Sequence, residues 1–95
     1  MKKILHGLIY DTDKAVCIGI HEERSLPELD WWIAGLFVTP RAKRYFLAGS
    51  GGPLSRFGQA ESKNSWTNGE DIIPLTREGA LEFSIQYLPD NDYFD

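Results

Sequence analysis

The chain has 95 residues, of which 42% are hydrophobic and 13% aromatic, and it carries a formal net charge of −4. This length and composition predict one globular domain, residues 1–95, with a thin core, and they exclude a fully disordered chain. The single cysteine, Cys17, excludes an intrachain disulfide. No apolar window approaches the ~18 residues of a membrane-spanning helix, and the apolar step in MKKILHG is too short for a signal peptide. We therefore expect a cytoplasmic protein with no membrane partner.

The N-terminal segments predict a tight hairpin, a turn and a strand. In ILHGLIY the central His-Gly pair is typical of a two-residue hairpin turn, because Gly7 tolerates a positive φ. Asp11-Thr12-Asp13 predicts a turn or short cap, since these side chains bond nearby backbone N–H groups. The apolar residues 15–20 predict a strand, and the polar residues 21–27 predict a loop.

A long hairpin is predicted for the stretch LDWWIAGLFVTPRAKRYFLAGSGG, residues 29–52. We expect a first strand over residues 31–39, a turn over 40–43, and a second strand over 44–48 that the following glycines end. Alternate residues of the first strand are apolar on both of its faces. That strand is therefore either central and covered on both sides, or it keeps one face free for a partner.

The polar run from Ser55 to Gly69 shows no clear periodicity and predicts a long loop, with Trp66 as its large apolar anchor. Residues 71–75 predict a short strand at a sheet edge or a strand end, because Pro74 has no N–H to donate.

The C-terminal segment predicts a helix. Thr76 is a good N-cap and Pro89 ends the helix. Its predicted apolar stripe is Leu81, Ile85 and Leu88, widened by Ala80, Phe83 and Tyr87. The acidic, aromatic tail over residues 89–95 is expected to be flexible. Together the elements predict an α+β fold, in which an antiparallel sheet of four or five strands, built from two hairpin-like units, carries one amphipathic helix.

The sequence contains no recognisable catalytic or metal-binding constellation. Cys17 and His21 are too few ligands for a zinc site and lack a nucleophile signature, so we expect a small core thiol and a surface imidazole. The glycines at 49–52 lack the further residues of a phosphate-binding loop and predict a chain reversal instead. We therefore predict no catalytic residue, no metal and no cofactor.

Basic and aromatic residues are the best candidates for partner contacts. Residues 1–56 hold eight Lys or Arg against six Asp or Glu, a net +2, whereas residues 57–95 hold two against eight, a net −6. Cations interleaved with aromatics suit a protein partner or a nucleic acid, but the acidic half would repel phosphates and makes nucleic acid the weaker alternative. The candidate partner-binding residues are Arg41, Lys43, Arg44, Tyr45, Arg56, Trp66, Asp90, Asp92 and Tyr93.

Several segments carry a resemblance to a group of proteins. They read IYDTDKA at 9–15, LFVTP at 36–40, RYFLAG at 44–49, GGPLSRF at 51–57 and IIPLT at 72–76. In this order they resemble small bacterial proteins of phages, plasmids and other mobile elements, whose strand reads LYxTxxGxxFLxGEGGxxSxY and whose helix opens with IxPLTxEEAxEW. The chain departs from that pattern at Ser50, where the group has glutamate, and at Ala42-Lys43, which replaces a turn glycine.

This resemblance implies a mobile-element accessory protein. Proteins of that setting are often counter-defence factors, including anti-CRISPR proteins, which commonly bind an effector protein rather than catalyse a reaction. We therefore expect a non-enzymatic inhibitor of a host or CRISPR effector protein. The alternative is a small nucleic-acid-binding module that uses the basic hairpin around Arg41 to Arg44. An apolar strand face or an open sheet edge also makes a homodimer a further expectation.

Overall fold

The computed structural model describes residues 1–24, 29–62 and 65–94 of the chain. Its main sheet has four antiparallel strands in the order β3-β4-β5-β8, beside two two-stranded sheets, β1-β2 and β6-β7. One C-terminal helix packs on the main sheet, so the predicted α+β class is confirmed. The elements are β1 Lys2–Leu5, β2 Leu8–Asp11, β3 Val16–Glu23, β4 Trp32–Val38, β5 Tyr45–Gly51, β6 Gln59–Ser62, β7 Ser65–Thr67, β8 Gly69–Leu75 and α1 Arg77–Tyr87.

The N-terminal hairpin and the turn after it follow from local sequence. His6 and Gly7 have φ angles of 51° and 78°, the two positive values that a tight two-residue hairpin turn requires. After β2, a short 3-10 helix covers Thr12–Lys14, and the Asp11 side chain accepts a hydrogen bond from the backbone N–H of Asp13. Both predictions for this segment are confirmed.

Strand β3 is longer than the sequence predicts and contains an irregularity. It continues through His21, Glu22 and Glu23, so the loop predicted over 21–27 is wrong for these three residues, while residues 25–28 lie outside the described residues. The register with β4 shifts between Cys17 and Gly19, which is a β-bulge. The strand is extended there in spite of its polar residues because β4 supplies a continuous pairing partner.

The central hairpin forms as predicted and occupies the middle of the main sheet. Strand β4 pairs with β3 on one side and with β5 on the other. Strand β5 runs on through Gly49 to Gly51, so the prediction that the glycines end this strand is wrong. A Cβ atom at position 49 would lie 2.1 Å from the Ile33 carbonyl oxygen. Glycine is therefore used here for close packing of backbone against backbone.

Both faces of β4 are covered, one of them only in part. On the helix side, Trp32, Ala34 and Leu36 are buried in the larger core. On the opposite side, the β1-β2 hairpin covers Phe46 and Ile72 in a smaller core built around Tyr10, with Phe37 packed against it. The first of the two alternatives for this strand is therefore correct over most of the sheet.

The polar run before β8 contains a small hairpin that the sequence does not reveal. Strands β6 and β7 are exposed at every described position, so the long loop predicted there is wrong over Gln59–Ser62 and Ser65–Thr67, and residues 63–64 lie outside the described residues. Because both faces are in water, these strands have no apolar alternation by which they could be recognised.

The C-terminal helix is capped as predicted but buries a different face. The Thr76 hydroxyl accepts a hydrogen bond from the backbone N–H of Gly79 at 3.0 Å. The buried residues are Ala80, Phe83 and Ser84, followed by Leu88, whereas Ile85 is 68% exposed. The predicted stripe is therefore wrong at Ile85, because the helix turns Ala80 and Phe83 into the larger core.

The C-terminal tail contacts the sheet. The side-chain amide of Asn91 donates to the backbone carbonyl of Ile18 at 2.5 Å. The rings of Tyr93 and Phe94 lie 6.3 and 5.7 Å from the ring of Tyr45. The described part of the tail thus runs back along the face of the sheet that also carries the helix.

A pair of helix variants tests which face is buried. We expect Phe83→Ala to lower the free energy of unfolding by ~3–5 kcal/mol, because it opens a cavity in the core. The matched Ile85→Ala variant removes an exposed side chain and should change the free energy of unfolding by less than ~0.5 kcal/mol. Urea denaturation measures both values, and equal losses in the two variants would contradict the assigned helix orientation.

Candidate partner-binding surface

The turn between β4 and β5 holds the basic residues in a defined shape. The backbone N–H of Thr39 donates to the carbonyl of Arg44 at 2.9 Å, and the N–H of Arg44 returns a hydrogen bond of 2.9 Å to the Thr39 hydroxyl. Lys43 has a φ of 55°, in the left-handed region that glycine adopts most readily. The side chains of residues 40–44 are all exposed at the tip of the hairpin.

A groove lies between this tip and the end of the β1-β2 hairpin. It has a volume of about 360 Å³. Lys14, on the short 3-10 helix, lines the groove with Arg41 and Arg44 from the tip, and Asp11 contributes one carboxylate. Lys14 could not be recognised as part of this surface from the sequence, because its proximity to the tip depends on how two separate hairpins pack. We call the surface formed by Lys14, Arg41, Lys43 and Arg44 the basic tip.

The cations of the basic tip differ from other cations in their surroundings. Within the described residues, none of the four forms an ion pair or lies over an aromatic ring. By contrast, Lys3 bonds to Asp71 at 2.7 Å and Arg24 bonds to Glu22 at 2.5 Å. Unpaired like charges around a concave surface add their potentials and attract an anionic partner.

Arg56 lies at the other end of the sheet from the basic tip. Its guanidinium carbon is 4.9 Å from the ring centre of Trp32 and 5.9 Å from that of Phe83, which are cation–π contacts. Trp32 is at the start of β4 and Val38 is at its end next to the tip. A strand of this length spans about 20 Å, so Arg56 does not share one surface with the tip.

Tyr45 is a core residue, although the sequence places it among the contact residues. It is 7% exposed and belongs to the larger core. Its neighbour Tyr93 is 38% exposed, at the same end of the sheet as the basic tip. The pKa of Tyr93 is raised above its ordinary value chiefly because its neutral hydroxyl donates a hydrogen bond to the Tyr45 side chain; partial burial adds to the shift, while the positive charge of Arg77 opposes it.

The remaining candidate contact residues lie elsewhere. Asp90 and Asp92 are exposed on the tail. Trp66 is 56% exposed on β7, in the small hairpin that leaves the main sheet where β8 begins. Strand β8 begins with Gly69 opposite Gly51, at the same end of the sheet as Trp32. The predicted contact residues thus divide between two ends of the molecule, with the basic tip and Tyr93 at one end and Arg56 and Trp66 at the other.

The bulge in β3 separates Cys17 from His21. In a regular strand residues 17 and 21 share a face, but the extra residue at the bulge puts Cys17 opposite Phe37 and His21 opposite Ala34, on opposite faces of the sheet. Cys17 is exposed, so the expected core thiol is wrong. His21 packs against the rings of Trp32 and Tyr87, with centroids 5.3 and 4.8 Å away, so it is not the simple surface imidazole that was expected.

The Nε2 atom of His21 lies 2.8 Å from Glu23 Oε1. This pair is held by aromatic packing at one end of the helix. Among the residues that the structure describes, no three His, Cys, Asp or Glu side chains converge in a way that could hold a metal ion.

Comparison with known proteins does not identify the chain. No family model, curated protein or solved structure matches it. The described helix is too short to cross a bilayer.

The tyrosine pair gives a test of the tail's position. Tyr45→Phe removes the hydroxyl that bonds to Tyr93 and should lower the pKa of Tyr93 toward the ordinary value of about 10. Because the folded-state pKa is raised, the pair stabilises the fold below about pH 10, and that contribution is lost as the pH rises through the pKa of Tyr93 in the folded protein. Carbon NMR of the tyrosine rings measures the titration.

Tyr10→Phe is the matched control, because Tyr10 packs on Phe46 in the smaller core. It should leave the titration of Tyr93 unchanged. A Tyr93 titration that is also unchanged in Tyr45→Phe would show that the tail does not lie against Tyr45.

Proposed function

We propose that this protein is a non-enzymatic accessory protein of a mobile element that binds and inhibits a host defence protein in the cytoplasm, in the manner of anti-CRISPR proteins. The observation that carries the binding part is the basic tip, where three of the four unpaired cations, Lys14, Arg41 and Arg44, line one groove. The inhibitor part rests on the sequence resemblance. The partner surface that fits the tip is acidic.

The arrangement of the other polar residues supports binding rather than catalysis. The groove is lined by cations and by one carboxylate, Asp11, with no histidine or thiol among its lining residues. His21, which could act as a general base, packs against two aromatic rings at a distance from that groove. Cys17 lies on the other face of the sheet from His21, so the two cannot act as a nucleophile and base pair.

A nucleic acid is the second candidate, and it uses the same tip. Lys14, Arg41, Lys43 and Arg44 could each neutralise a phosphate. A protein partner is favoured because Asp11 lies in the groove itself and the chain as a whole carries a net charge of −4. Both features raise the cost of placing a polyphosphate along the tip, whereas a protein can offer separate carboxylates and avoid Asp11.

A pull-down with and without nuclease distinguishes the two candidates. Tagged protein is incubated with lysate of bacteria that express CRISPR effector complexes, and captured proteins are identified by mass spectrometry. A stoichiometric protein partner that survives nuclease treatment is expected. Enrichment that disappears with nuclease would transfer the proposal to nucleic acid, and a failure to capture or inhibit any effector would reject the inhibitor function.

Charge reversal at the tip tests the assigned surface. We expect Arg41→Glu combined with Arg44→Glu to weaken partner binding at least ~10-fold, because attraction becomes repulsion at both sites. The control is Lys2→Glu combined with Arg24→Glu, which makes the same change in net charge at two exposed residues that do not line the groove. Binding is measured by surface plasmon resonance at two salt concentrations, and equal losses in both double variants would show that only net charge matters.

Two single variants locate the surface more closely. Lys14→Glu should weaken binding although Lys14 is 27 positions before Arg41 in the sequence, since both line one groove. Arg56→Gln should leave binding unchanged, because Arg56 belongs to the opposite end of the sheet. The reverse pattern, with Arg56 essential and Lys14 dispensable, would place the contact surface at the Trp32 end.

A further inference from the structure

The outer face of the β1-β2 hairpin carries two exposed isoleucines side by side. Ile4 pairs with Ile9 across the hairpin, and the two residues are 63% and 56% exposed. Leu5 and Leu8, on the inner face of the hairpin, pack against the smaller core instead. Residues directly opposed in an antiparallel pair have Cβ atoms about 5 Å apart, so the two isoleucines form one apolar ridge in water.

This ridge is continuous with the groove of the basic tip. Ile9 lines that groove, and Pro40 and Ala42 of the turn between β4 and β5 line it from the other side. The cations Lys14 and Arg41 line the same groove. The surface beside the basic tip is therefore apolar as well as cationic, and its apolar part extends outward along the hairpin to Ile4.

The carboxylate of Asp11 in this groove has a structural role. Its Oδ1 atom accepts a hydrogen bond of 3.0 Å from the backbone N–H of Asp13, and so it caps the short 3-10 helix. Among the described residues, no ion pair joins Asp11 to Lys14, Arg41 or Arg44. Both the positive charge of the groove and the apolar ridge next to it are thus left for a partner to cover.

We infer that the partner protein contacts this surface through an acidic segment whose apolar side chains lie between carboxylates. The apolar side chains pack on Ile4 and Ile9. The carboxylates bind the cations of the groove, Lys14, Arg41 and Arg44, by charge complementarity. The ridge favours a peptide over a nucleic acid, because the charged backbone that a nucleic acid offers to cations gains nothing from neighbouring isoleucines.

This inference rests on the binding part of the proposed function, which assigns partner contact to the basic tip. The isoleucine pair also contributes to the hairpin itself, since β-branched side chains and opposed apolar pairs both stabilise extended strands. Ile9→Thr separates the two roles, because threonine keeps the branched Cβ and removes much of the apolar surface. Ile20→Thr is the matched control, since Ile20 is a 64% exposed strand residue that does not line this groove.

Two synthetic peptides of equal length and equal charge test the inference. One contains glutamates with leucines spaced between them, and the other has serine in place of each leucine. Amide shifts in NMR titrations of the full chain measure where each peptide binds and how tightly. We expect the leucine peptide to bind at least ~10-fold more tightly than the serine peptide, with the largest shifts at residues 9, 14 and 41–44. Ile9→Thr should abolish this preference and Ile20→Thr should keep it.

Equal affinities for the two peptides would overturn the inference and leave the proposed function standing on charge alone. The inference also fails if neither peptide binds, or if the preference for leucine survives Ile9→Thr. A single-stranded DNA of the same charge that binds these residues more tightly than the leucine peptide would overturn it in favour of nucleic acid. A clear preference for leucine, with no effector captured from lysate, would support the inferred segment and reject only the inhibitor function.

Discussion

The structure depends on one constraint, which is that β4 is apolar on both of its faces. Each buried aliphatic or aromatic side chain contributes ~1.5–3 kcal/mol only if something covers it. The helix and the returning tail cover the side of Trp32, Ala34 and Leu36, and the N-terminal hairpin covers part of the opposite side. A chain of this length has few other elements from which to build two cores. The groove beside Ile33 and Gly35 is the part of the sheet face that the N-terminal hairpin leaves uncovered.

The β-bulge in β3 determines which side chains of that strand face each of the two cores. The extra residue between Cys17 and Gly19 exchanges the faces of all later side chains in β3. It buries Ile18 under the tail and brings His21 against the rings of Trp32 and Tyr87. The same exchange leaves Cys17 exposed and isolated from His21. A C-x3-H spacing suggests a shared metal or nucleophile site, but the bulge places Cys17 and His21 on opposite faces of the sheet although they are close in sequence.

Elements that are set by neighbouring residues could be predicted from the sequence. The His6-Gly7 turn, the Thr76 cap, the central hairpin and the edge position of Pro74 all rest on short-range steric or hydrogen-bonding preferences. The face of the helix could not be predicted, because Ile85 and Phe83 are both apolar and the choice is made by the shape of the core. Strands β6 and β7 could not be recognised because neither of their faces is buried.

Prediction of the candidate site from the sequence meets the same limit, because distant contacts cannot be read from neighbouring residues. The exposed cations of the β4-β5 turn could be found from a turn rich in Arg and Lys. Lys14 could not be found, because its place in the groove depends on the packing of the N-terminal hairpin against the main sheet. Tyr45 illustrates the opposite error: it is next to the cations in sequence, but β5 is covered on both faces at this end and Tyr45 is buried in the larger core.

The surroundings of each cation depend on whether it lies beside the sheet or at the end of the central hairpin. Cations that lie beside the sheet make contacts within the fold. Lys3 forms an ion pair with Asp71, and Arg56 lies over the rings of Trp32 and Phe83. Among the described residues, the cations of the turn at the end of the hairpin have no such neighbours, and the groove adds Lys14 to them. Clustering unpaired like charges opposes folding. A chain with a net charge of −4 nevertheless concentrates these cations at one end, and the anionic partner that we propose would offset their mutual repulsion.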